Sequence, residues 1–375
     1  MRILPMLARC FLLPLSLATS LVAQVKVIDF SGDLSRRVLI EAGTEDTYQG
    51  HPTTLLQPDG RTMFAVWTHG HGGPCGPMKR SDDGGLTWGS LLQVPENWKT
   101  VRNCPAIHRL SDPGGKSRIF VFAGQGPGGS KQPDNGAMHQ AVSEDDGRSW
   151  TPMKPNGLEC VMPFCTMVSV EGGEKWIGLS NIRRPDETTD RYSNILAQSE
   201  SIDGGMTWSP WRIILDLNPL RVCEPEVIRS PDNKQLLCLY RENLKREAGF
   251  MTSDDEGKTW SAPRRLPPAL VGDRHKARYA PDGRLVICFR DKSDDFGTRN
   301  HFVAWVGRYE EIGQADAGFR VKLLHSHAGP DCGYPGLEVL PDGTFVATTY
   351  IKLRPGPEKH SIVSVRFRLD ELASP

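Results

Sequence analysis

The stretch Ser81-Asp-Asp-Gly-Gly-Leu-Thr-Trp88 decides the fold, because the chain repeats its pattern three more times. The further copies are Ser143-Glu-Asp-Asp-Gly-Arg-Ser-Trp150, Ser201-Ile-Asp-Gly-Gly-Met-Thr-Trp208 and Ser253-Asp-Asp-Glu-Gly-Lys-Thr-Trp260, and the four starts lie 62, 58 and 52 residues apart. The shared frame is Ser-x-Asp-x-Gly-x-Thr/Ser-Trp. In this frame we expect the aspartate to accept backbone N–H bonds, the glycine to adopt a positive φ and the tryptophan to anchor a hairpin turn in the core.

A second repeat gives the number of units. Short strands are predicted to open at six positions, spaced 53, 58, 62, 50 and 60 residues apart: His51, Cys104, Met162, Glu224, Arg274 and Tyr334. Units of this length fit four-stranded propeller blades, so the sequence predicts an all-β, six-bladed β-propeller rather than a pair of open β-sandwiches. We expect residues 25–40 to pair with residues 361–368 and close the last blade, which leaves no free sheet edge.

Composition and charge exclude several other classes of protein. The 375 residues include 38 Gly and 29 Pro, too many helix breakers for a long helical bundle, while nine Trp and 38% hydrophobic residues argue against disorder. Lys+Arg and Asp+Glu are both 45, and this zero net charge argues against a nucleic-acid partner.

The N-terminus indicates export. Residues 1–23 combine two arginines, a short apolar run and small residues before a cleavage position, as in a secretory signal peptide; an uncleaved anchor is the alternative. Residues 24–375 then form a single domain without a second hydrophobic segment, so we expect no membrane span in the mature protein. Eight cysteines remain after Cys10, their pairing is open, and Cys238 and Cys288 lie in apolar runs typical of buried thiols.

The four-copy motif resembles the Asp-box, or BNR repeat, and nearly all of the mature region resembles the exo-α-sialidase (neuraminidase) family of six-bladed propellers. The resemblance implies a secreted glycoside hydrolase that needs no cofactor and releases terminal sialic acid or a related acidic sugar from a glycan. That family uses a tyrosine nucleophile with a glutamate base, an arginine triad and an aspartate acid/base. Sialic acid carries a carboxylate on its anomeric carbon, and a phenol avoids the repulsion that a carboxylate nucleophile would meet.

Four positions match the family pattern. Tyr334, in Cys-Gly-Tyr-Pro-Gly-Leu, matches the nucleophile, and Glu224, in Cys-Glu-Pro-Glu-Val-Ile, matches its base. Arg241, in Leu-Tyr-Arg-Glu-Asn, matches a triad arginine, and Arg290, in Ile-Cys-Phe-Arg-Asp, is the candidate for another. A guanidinium suits this task because its planar fork binds a carboxylate with two hydrogen bonds.

Other positions depart from the family. No arginine stands at Gly50-His51-Pro52, where the first triad member is expected, so Arg102 is the nearest substitute, and Arg274 and His51 are further substrate-binding candidates. Residues 68–80 contain no Asp or Glu, which leaves His69 or His71 as the proton donor.

Several alternatives stay open. In a propeller, the innermost strands line a central funnel where ligands bind. The register of the repeat predicts that the ends of the second strands also approach this funnel, at His69, His71, Gln125, Arg183, Arg241, Arg290 and Lys352. The three histidines His51, His69 and His71 would suit a zinc ion, because His69 and His71 would point to the same face of an extended strand, although we favour a site without metal. Asp273 is a second acid/base candidate or part of an ion-pair network. Two alternatives to a sialidase remain: a non-catalytic propeller that binds acidic glycans, and a propeller glycosidase for another sugar such as arabinan.

Overall fold

The computed structural model describes residues 25–124, 136–184 and 194–372. The predicted signal peptide, residues 1–23, lies outside these ranges. Within them, the helices are 3₁₀-helices of three to five residues: Leu34–Arg36, Glu96–Thr100, Glu171–Gly173, Pro268–Leu270, Tyr309–Glu311 and Leu369–Glu371. No helix in the described ranges has the length and apolar character needed to cross a membrane.

The strands form six sheets around a ring. The first two strands of the described residues are β1 (Val27–Asp29) and β2 (Arg37–Glu41). Blade one contains β3 (Gln49–Leu56), β4 (Met63–His69) and β5 (Cys75–Ser81). Blade two contains β6 (Ala106–Ser111), β7 (Ser117–Gly124), β8 (Gly136–Ser143) and β9 (Lys154–Cys160). Blade three contains β10 (Thr166–Val170), β11 (Lys175–Arg183), β12 (Asn194–Ser201) and β13 (Arg212–Leu215).

The second half of the ring follows the same order. Blade four contains β14 (Val222–Arg229), β15 (Leu236–Glu242), β16 (Gly249–Ser253) and β17 (Arg264–Arg265). Blade five contains β18 (Gly272–Tyr279), β19 (Leu285–Asp291), β20 (Phe302–Gly307) and β21 (Phe319–Leu324). Blade six contains β22 (Gly336–Val339), β23 (Phe345–Ile351) and β24 (Ser361–Phe367). The predicted all-β, six-bladed propeller is therefore confirmed. Second strands such as β19 and β23 are buried along their whole length, because neighbouring blades cover both of their faces.

The N-terminal segment closes the ring, with one difference from the prediction. Strand β2 pairs antiparallel with β24 and becomes the fourth strand of blade six, as expected. Strand β1 instead pairs in parallel with β21 and adds a fifth strand to blade five. The segment thus joins two adjacent blades, and β1 and β2 become the outermost strands of blades five and six.

The repeated turns follow the third strand of blades one to four and have the predicted hydrogen bonds. In the first copy, Oδ1 of Asp83 accepts the backbone N–H groups of Leu86 and Thr87 at 3.0 and 2.9 Å. The glycines of the frame have φ between 79° and 93°. A Cβ on Gly147 would lie 2.3 Å from the Phe64 ring of the preceding blade, so this position requires glycine for space as well as for φ. The turns therefore also hold neighbouring blades together.

A bulge interrupts the innermost strand in blades one, four and five. The register shifts at the start of β3, β14 and β18, and the residues at the shift have positive φ values of 48° at His51, 55° at Glu224 and 55° at Arg274. A bulge re-aims a side chain out of the regular strand alternation. The same distortion in three blades brings these three side chains toward the axis of the ring.

The eight described cysteines are buried and unpaired, including Cys238 and Cys288 as predicted. Cys104 and Cys165 pack with Met162 against Tyr334, so the openings of blades two and three form an apolar wall of the funnel.

Candidate active site

Tyr334 and Glu224 meet at the centre of the ring, although 110 residues separate them in the chain. The Tyr334 hydroxyl donates a short hydrogen bond to Oε1 of Glu224, and the Glu224 residue is 3% exposed. Burial, reinforced by the charge of Glu224, raises the pKa of Tyr334 well above its ordinary value. The phenol is therefore protonated at neutral pH, and it can act as a nucleophile only if its proton passes to Glu224 during the attack.

Arg241 binds this pair from the end of β15. Its Nη1 donates to Oε1 of Glu224 at 2.9 Å and to the Tyr334 hydroxyl at 3.4 Å. Its Nε lies 2.8 Å from Oδ1 of Asp273. Arg241 thus places a positive charge beside the oxygen from which a proton must leave, as expected for a member of an anion-stabilising site.

Arg290 supports the loop that carries Tyr334. Its Nε and Nη2 lie 2.9 and 2.7 Å from Oδ2 of Asp273, and its Nη1 donates to the carbonyls of Pro330 and Cys332 at 2.6 and 3.0 Å. Burial opposes the charge of Asp273, but Arg241 and Arg290 outweigh it and lower the pKa of that carboxyl. Asp273 therefore belongs to an ion-pair network, one of the two alternatives predicted for it, but the network is buried and not at the surface, where it was expected. Most of the donors of Arg290 are used within the protein.

Arg274 is the arginine at the site whose guanidinium forms no ion pair within the described ranges. Its Cζ lies 5.5 Å from the centroid of the Tyr334 ring, and its Nη1 donates to Sγ of Cys165 at 2.7 Å. The side chain is held by the bulge at the start of β18 and is nearly buried. Arg274 can therefore offer hydrogen bonds to an anionic ligand beside Tyr334.

A second polar cluster lies on the other side of Tyr334. The ring of His51 is 4.9 Å from that of Tyr334 and 4.5 Å from that of His71. Nδ1 of His51 accepts the backbone N–H of Gly72 at 3.1 Å, and burial, followed by the charge of His71, lowers the pKa of His51 well below its ordinary value. His51 is therefore neutral and fixed, while the His71 side chain is 65% exposed.

Asp331 anchors this cluster, and the sequence reasoning missed it. Its carboxylate accepts hydrogen bonds from Tyr48 at 3.0 Å and from Tyr350 at 3.2 Å, and Nδ1 of His71 lies 3.1 Å from its Oδ1. Burial tends to raise the pKa of Asp331, but the hydrogen bond from His71 and the neighbouring His360 lower it strongly overall. The feature of the sequence that could have indicated Asp331 is its position in the Gly/Pro-rich loop, three residues before Tyr334.

Two predicted residues lie elsewhere. His69 ends β4 and is exposed; partial burial lowers its pKa, and the charge of Glu41 opposes that shift. The expectation that His69 and His71 share one face was wrong, because the chain leaves the extended conformation at Gly70, where φ is 83°. Arg102 is an exposed residue whose backbone bridges to Pro74, and it takes no part in the network around Tyr334.

The remaining candidates add little to the site. Lys352 donates to the carbonyl of Gly356 at 2.7 Å, and Gln125 lies outside the described residues. Within the described ranges, no three His, Cys, Asp or Glu side chains are arranged to hold a metal ion. The zinc arrangement of His51, His69 and His71 is therefore not formed.

The fold and the site define a divergent sialidase-like β-propeller. Residues 102–346, well over half of the chain, match the model of the BNR repeat-like domain family, and the chain belongs to that family. A search of curated proteins gave no match.

Solved structures share the fold at low sequence identity. An α-L-arabinanase of Penicillium chrysogenum, in complex with arabinobiose, is 18% identical with a TM-score of 0.65, covering 90% of this chain and 98% of that one. The NanB sialidase of Streptococcus pneumoniae is 13% identical with a TM-score of 0.63, covering 90% and 71%. A protein of unknown function from Dyadobacter fermentans is 16% identical with a TM-score of 0.64, covering 88% and 100%.

Proposed function

We propose that the protein is an exported glycoside hydrolase of the exo-α-sialidase type, which releases terminal sialic acid or a related acidic sugar. The observation that carries this proposal is the hydrogen bond between Tyr334 and Glu224 inside a funnel lined by arginines. A tyrosine that shares its proton with a buried carboxylate is the arrangement that a phenolic nucleophile requires. The fold of the NanB sialidase agrees with this reaction class.

The reaction would proceed in two steps. The Tyr334 oxygen attacks the anomeric carbon while its proton moves to Glu224, and the bond to the leaving-group oxygen breaks as that oxygen takes a proton from His71. Water then attacks the glycosyl-tyrosine, gives its proton to His71 and releases the sugar, while Glu224 returns the proton to the tyrosine. Arg241 stabilises the charge that develops on the phenolic oxygen.

The carboxylate of the sugar would be bound by Arg274 and by the Nη2 atom of Arg241. The Nη2 atom of Arg241 has no hydrogen-bond acceptor within the described ranges. The Arg274 guanidinium donates a hydrogen bond only to the Cys165 thiol there. Arg290 has a supporting role, because its guanidinium already binds Asp273 and two backbone carbonyls. Glu224, Asp273 and Asp331 offset the charge of the arginines, so the free donors of Arg274 and Arg241, rather than an excess of positive charge, would bind an acidic sugar.

The test is the release of a fluorogenic phenol from an α-sialoside by the wild type and by Tyr334→Phe. We expect the variant to lose about 1,000-fold or more of kcat/KM, since it lacks the nucleophilic oxygen. Tyr279→Phe is the matched control, because its hydroxyl donates to the Arg229 carbonyl, outside the site, and its rate should stay within about twofold. Equal rates for the wild type and Tyr334→Phe would remove Tyr334 from the mechanism.

A glycosidase for another sugar is the second candidate. Asp273 already neutralises part of the charge of Arg241 and Arg290, an arrangement that favours a substrate without a carboxylate. The Penicillium chrysogenum arabinanase shows that this fold accommodates an uncharged sugar in that protein. Turnover of an aryl α-L-arabinofuranoside, with none of the sialoside, would establish this second candidate. Saturable binding of sialylated glycan without turnover of either would instead indicate a non-catalytic binding propeller.

A further inference from the structure

We propose that His71 and Asp331 form the proton-transfer pair of the site, with His71 exchanging the proton with the leaving group and Asp331 positioning its ring. This inference rests on the proposed function and specifies which side chains replace the missing aspartate. Residues 68–80 contain no carboxylate, so the proton must come from another kind of side chain or from another part of the chain. The His71–Asp331 pair combines the two: His71 is a different kind of side chain, and Asp331 is a carboxylate from another part of the chain.

The position of His71 fits a proton donor. It lies in the loop between β4 and β5, and its ring packs edge-on against His51, which in turn lies beside Tyr334. Its side chain is 65% exposed, whereas Glu224 is buried and Tyr334 is half-buried. The ring therefore stands at the mouth of the funnel, where the leaving group of an exo-acting enzyme departs toward solvent.

The hydrogen bond to Asp331 fixes the orientation of the His71 ring. Nδ1 lies 3.1 Å from Oδ1 of Asp331, so Nε2 is the nitrogen left to face the substrate. An imidazole held by a carboxylate at one nitrogen presents the other in a defined direction and is stabilised when it carries the proton. The same pairing lets Nε2 donate a proton in the first step and accept one from water in the second.

Asp331 is itself held from three sides. Tyr48 donates to both carboxylate oxygens at 3.0 Å, Tyr350 donates to Oδ1 at 3.2 Å, and Nε2 of His360 lies 2.7 Å from the Asp331 backbone oxygen. A carboxylate with this many donors is fixed in place and stays ionised. Asp331 also lies in the loop braced by Arg290, three residues before Tyr334, so one loop carries the nucleophile and the support of its proton donor.

A comparison of two leaving groups tests the pair. A lactose leaving group needs protonation to depart, whereas the acidic phenol of a 4-methylumbelliferyl glycoside departs without it. We expect His71→Gln to lower kcat/KM for 3′-sialyllactose by about 10²- to 10⁴-fold and for 4-methylumbelliferyl α-sialoside by less than about tenfold. Asp331→Asn, which removes the charge but keeps the size of the side chain, should show the same selectivity with a smaller loss.

Controls separate this role from a structural one. His69→Gln changes a histidine two residues away that points elsewhere, and both substrates should keep their wild-type rates. If Asp331→Asn does not fold, Tyr48→Phe removes one donor to Asp331 and should show the same selectivity in weaker form. Equal losses on both substrates in His71→Gln, with a wild type that turns over both, would overturn the pair and leave the nucleophile intact. A wild type with no turnover would remove the proposed function and the pair together.

Discussion

At the level of single residues, the three arginines around Tyr334 differ in what their guanidinium groups already bind. Arg290 makes two contacts with Asp273 and two with backbone carbonyls, so its role is to support the loop. Arg274 donates to a thiol, a weak acceptor, and keeps the rest of its fork for a ligand. Substitution by lysine, which keeps the charge and removes the fork, should therefore affect the two residues differently.

We expect Arg290→Lys to lower the free energy of unfolding by about 2–3 kcal/mol, because a buried network loses charge-assisted hydrogen bonds. Arg274→Lys should change the free energy of unfolding by less than about 1 kcal/mol and weaken the binding of free sialic acid by about tenfold. Urea denaturation and titration calorimetry measure the two quantities. The assignment of roles fails if Arg274→Lys is the less stable variant and Arg290→Lys the weaker binder.

The cysteines give a second prediction at this scale. All eight described cysteines are buried and unpaired, and burial raises the pKa of the Cys332 thiol to about 11. Thiols that are protonated and inaccessible react slowly, so the native protein should resist labelling by a thiol reagent over hours. After denaturation without reductant, all eight should react. Disulfides formed during export would instead leave fewer reactive thiols under the same conditions.

The residues of the site were predictable to different degrees. Tyr334, Glu224 and Arg241 stand in short motifs where strands of the repeat begin or end, so the repeat register predicted that they lie near one point. Asp331 and His71 lie in loops, where the direction of a side chain depends on individual φ values such as the 83° of Gly70. A period of two residues holds along a strand but not through such a turn, which is why His69 was paired with His71 wrongly.

At the level of the secondary-structure elements, the repeated turns depend on one carboxylate each. In the fourth copy, the Thr259 hydroxyl donates to Asp255 at 2.6 Å and the Thr259 N–H at 2.8 Å. The pKa of Asp255 is lowered from 3.8 to about 2. The hydrogen bond from the Thr259 hydroxyl is the largest cause, and the bond from the Thr259 backbone N–H is the next. The corresponding pKa in the second copy, at Asp145, is also about 2.

These shifts determine how acid affects stability. Because the folded pKa is below the unfolded one, the aspartates contribute stability that is fully present above about pH 4 and is lost as the pH falls toward 2. We expect Asp255→Asn to make the free energy of unfolding fall less steeply between pH 4 and pH 2, as measured by urea denaturation across that range. Asp254→Asn is the control, since its carboxylate binds Gln235 and not the turn. An unchanged slope in Asp255→Asn would contradict this account.

The elements also show where sequence periodicity stops being informative. The spacing of the repeats was enough to predict six blades, because six strand openings recur every 50 to 62 residues and the first four units also carry the repeated turn. The bulges at His51, Glu224 and Arg274 were not predicted, since a single extra residue in a strand leaves no compositional trace. These bulges are nevertheless what directs the three side chains to one site.

At the level of the whole molecule, the closure of the ring and the site share one core. Ile40 of β2 packs in a cluster with Trp67 of blade one and Tyr350 of blade six, and Tyr334 packs against the same cluster. The Tyr350 hydroxyl donates to Asp331 at 3.2 Å. The strand that closes the propeller therefore supports the loop that carries both Asp331 and Tyr334, the proposed nucleophile.

This coupling predicts a contrast between two adjacent residues. Ile40 is 2% exposed and Leu39, its neighbour in β2, is 55% exposed on the opposite face. Ile40→Ala should lower the free energy of unfolding by about 3 kcal/mol through lost burial and a cavity, whereas Leu39→Ala should stay within about 0.5 kcal/mol of the wild type.

Ile40 and Tyr350 pack in the same cluster, so Ile40→Ala should also lower the temperature at which the proposed glycosidase activity is lost. Urea denaturation and the residual activity after heating measure the two effects. If Ile40→Ala unfolds earlier in urea but keeps the wild-type inactivation temperature, then the closing strand stabilises the ring without supporting the site. If both effects appear in Ile40→Ala and neither in Leu39→Ala, the closure of the propeller and the geometry of its active site depend on the same contacts.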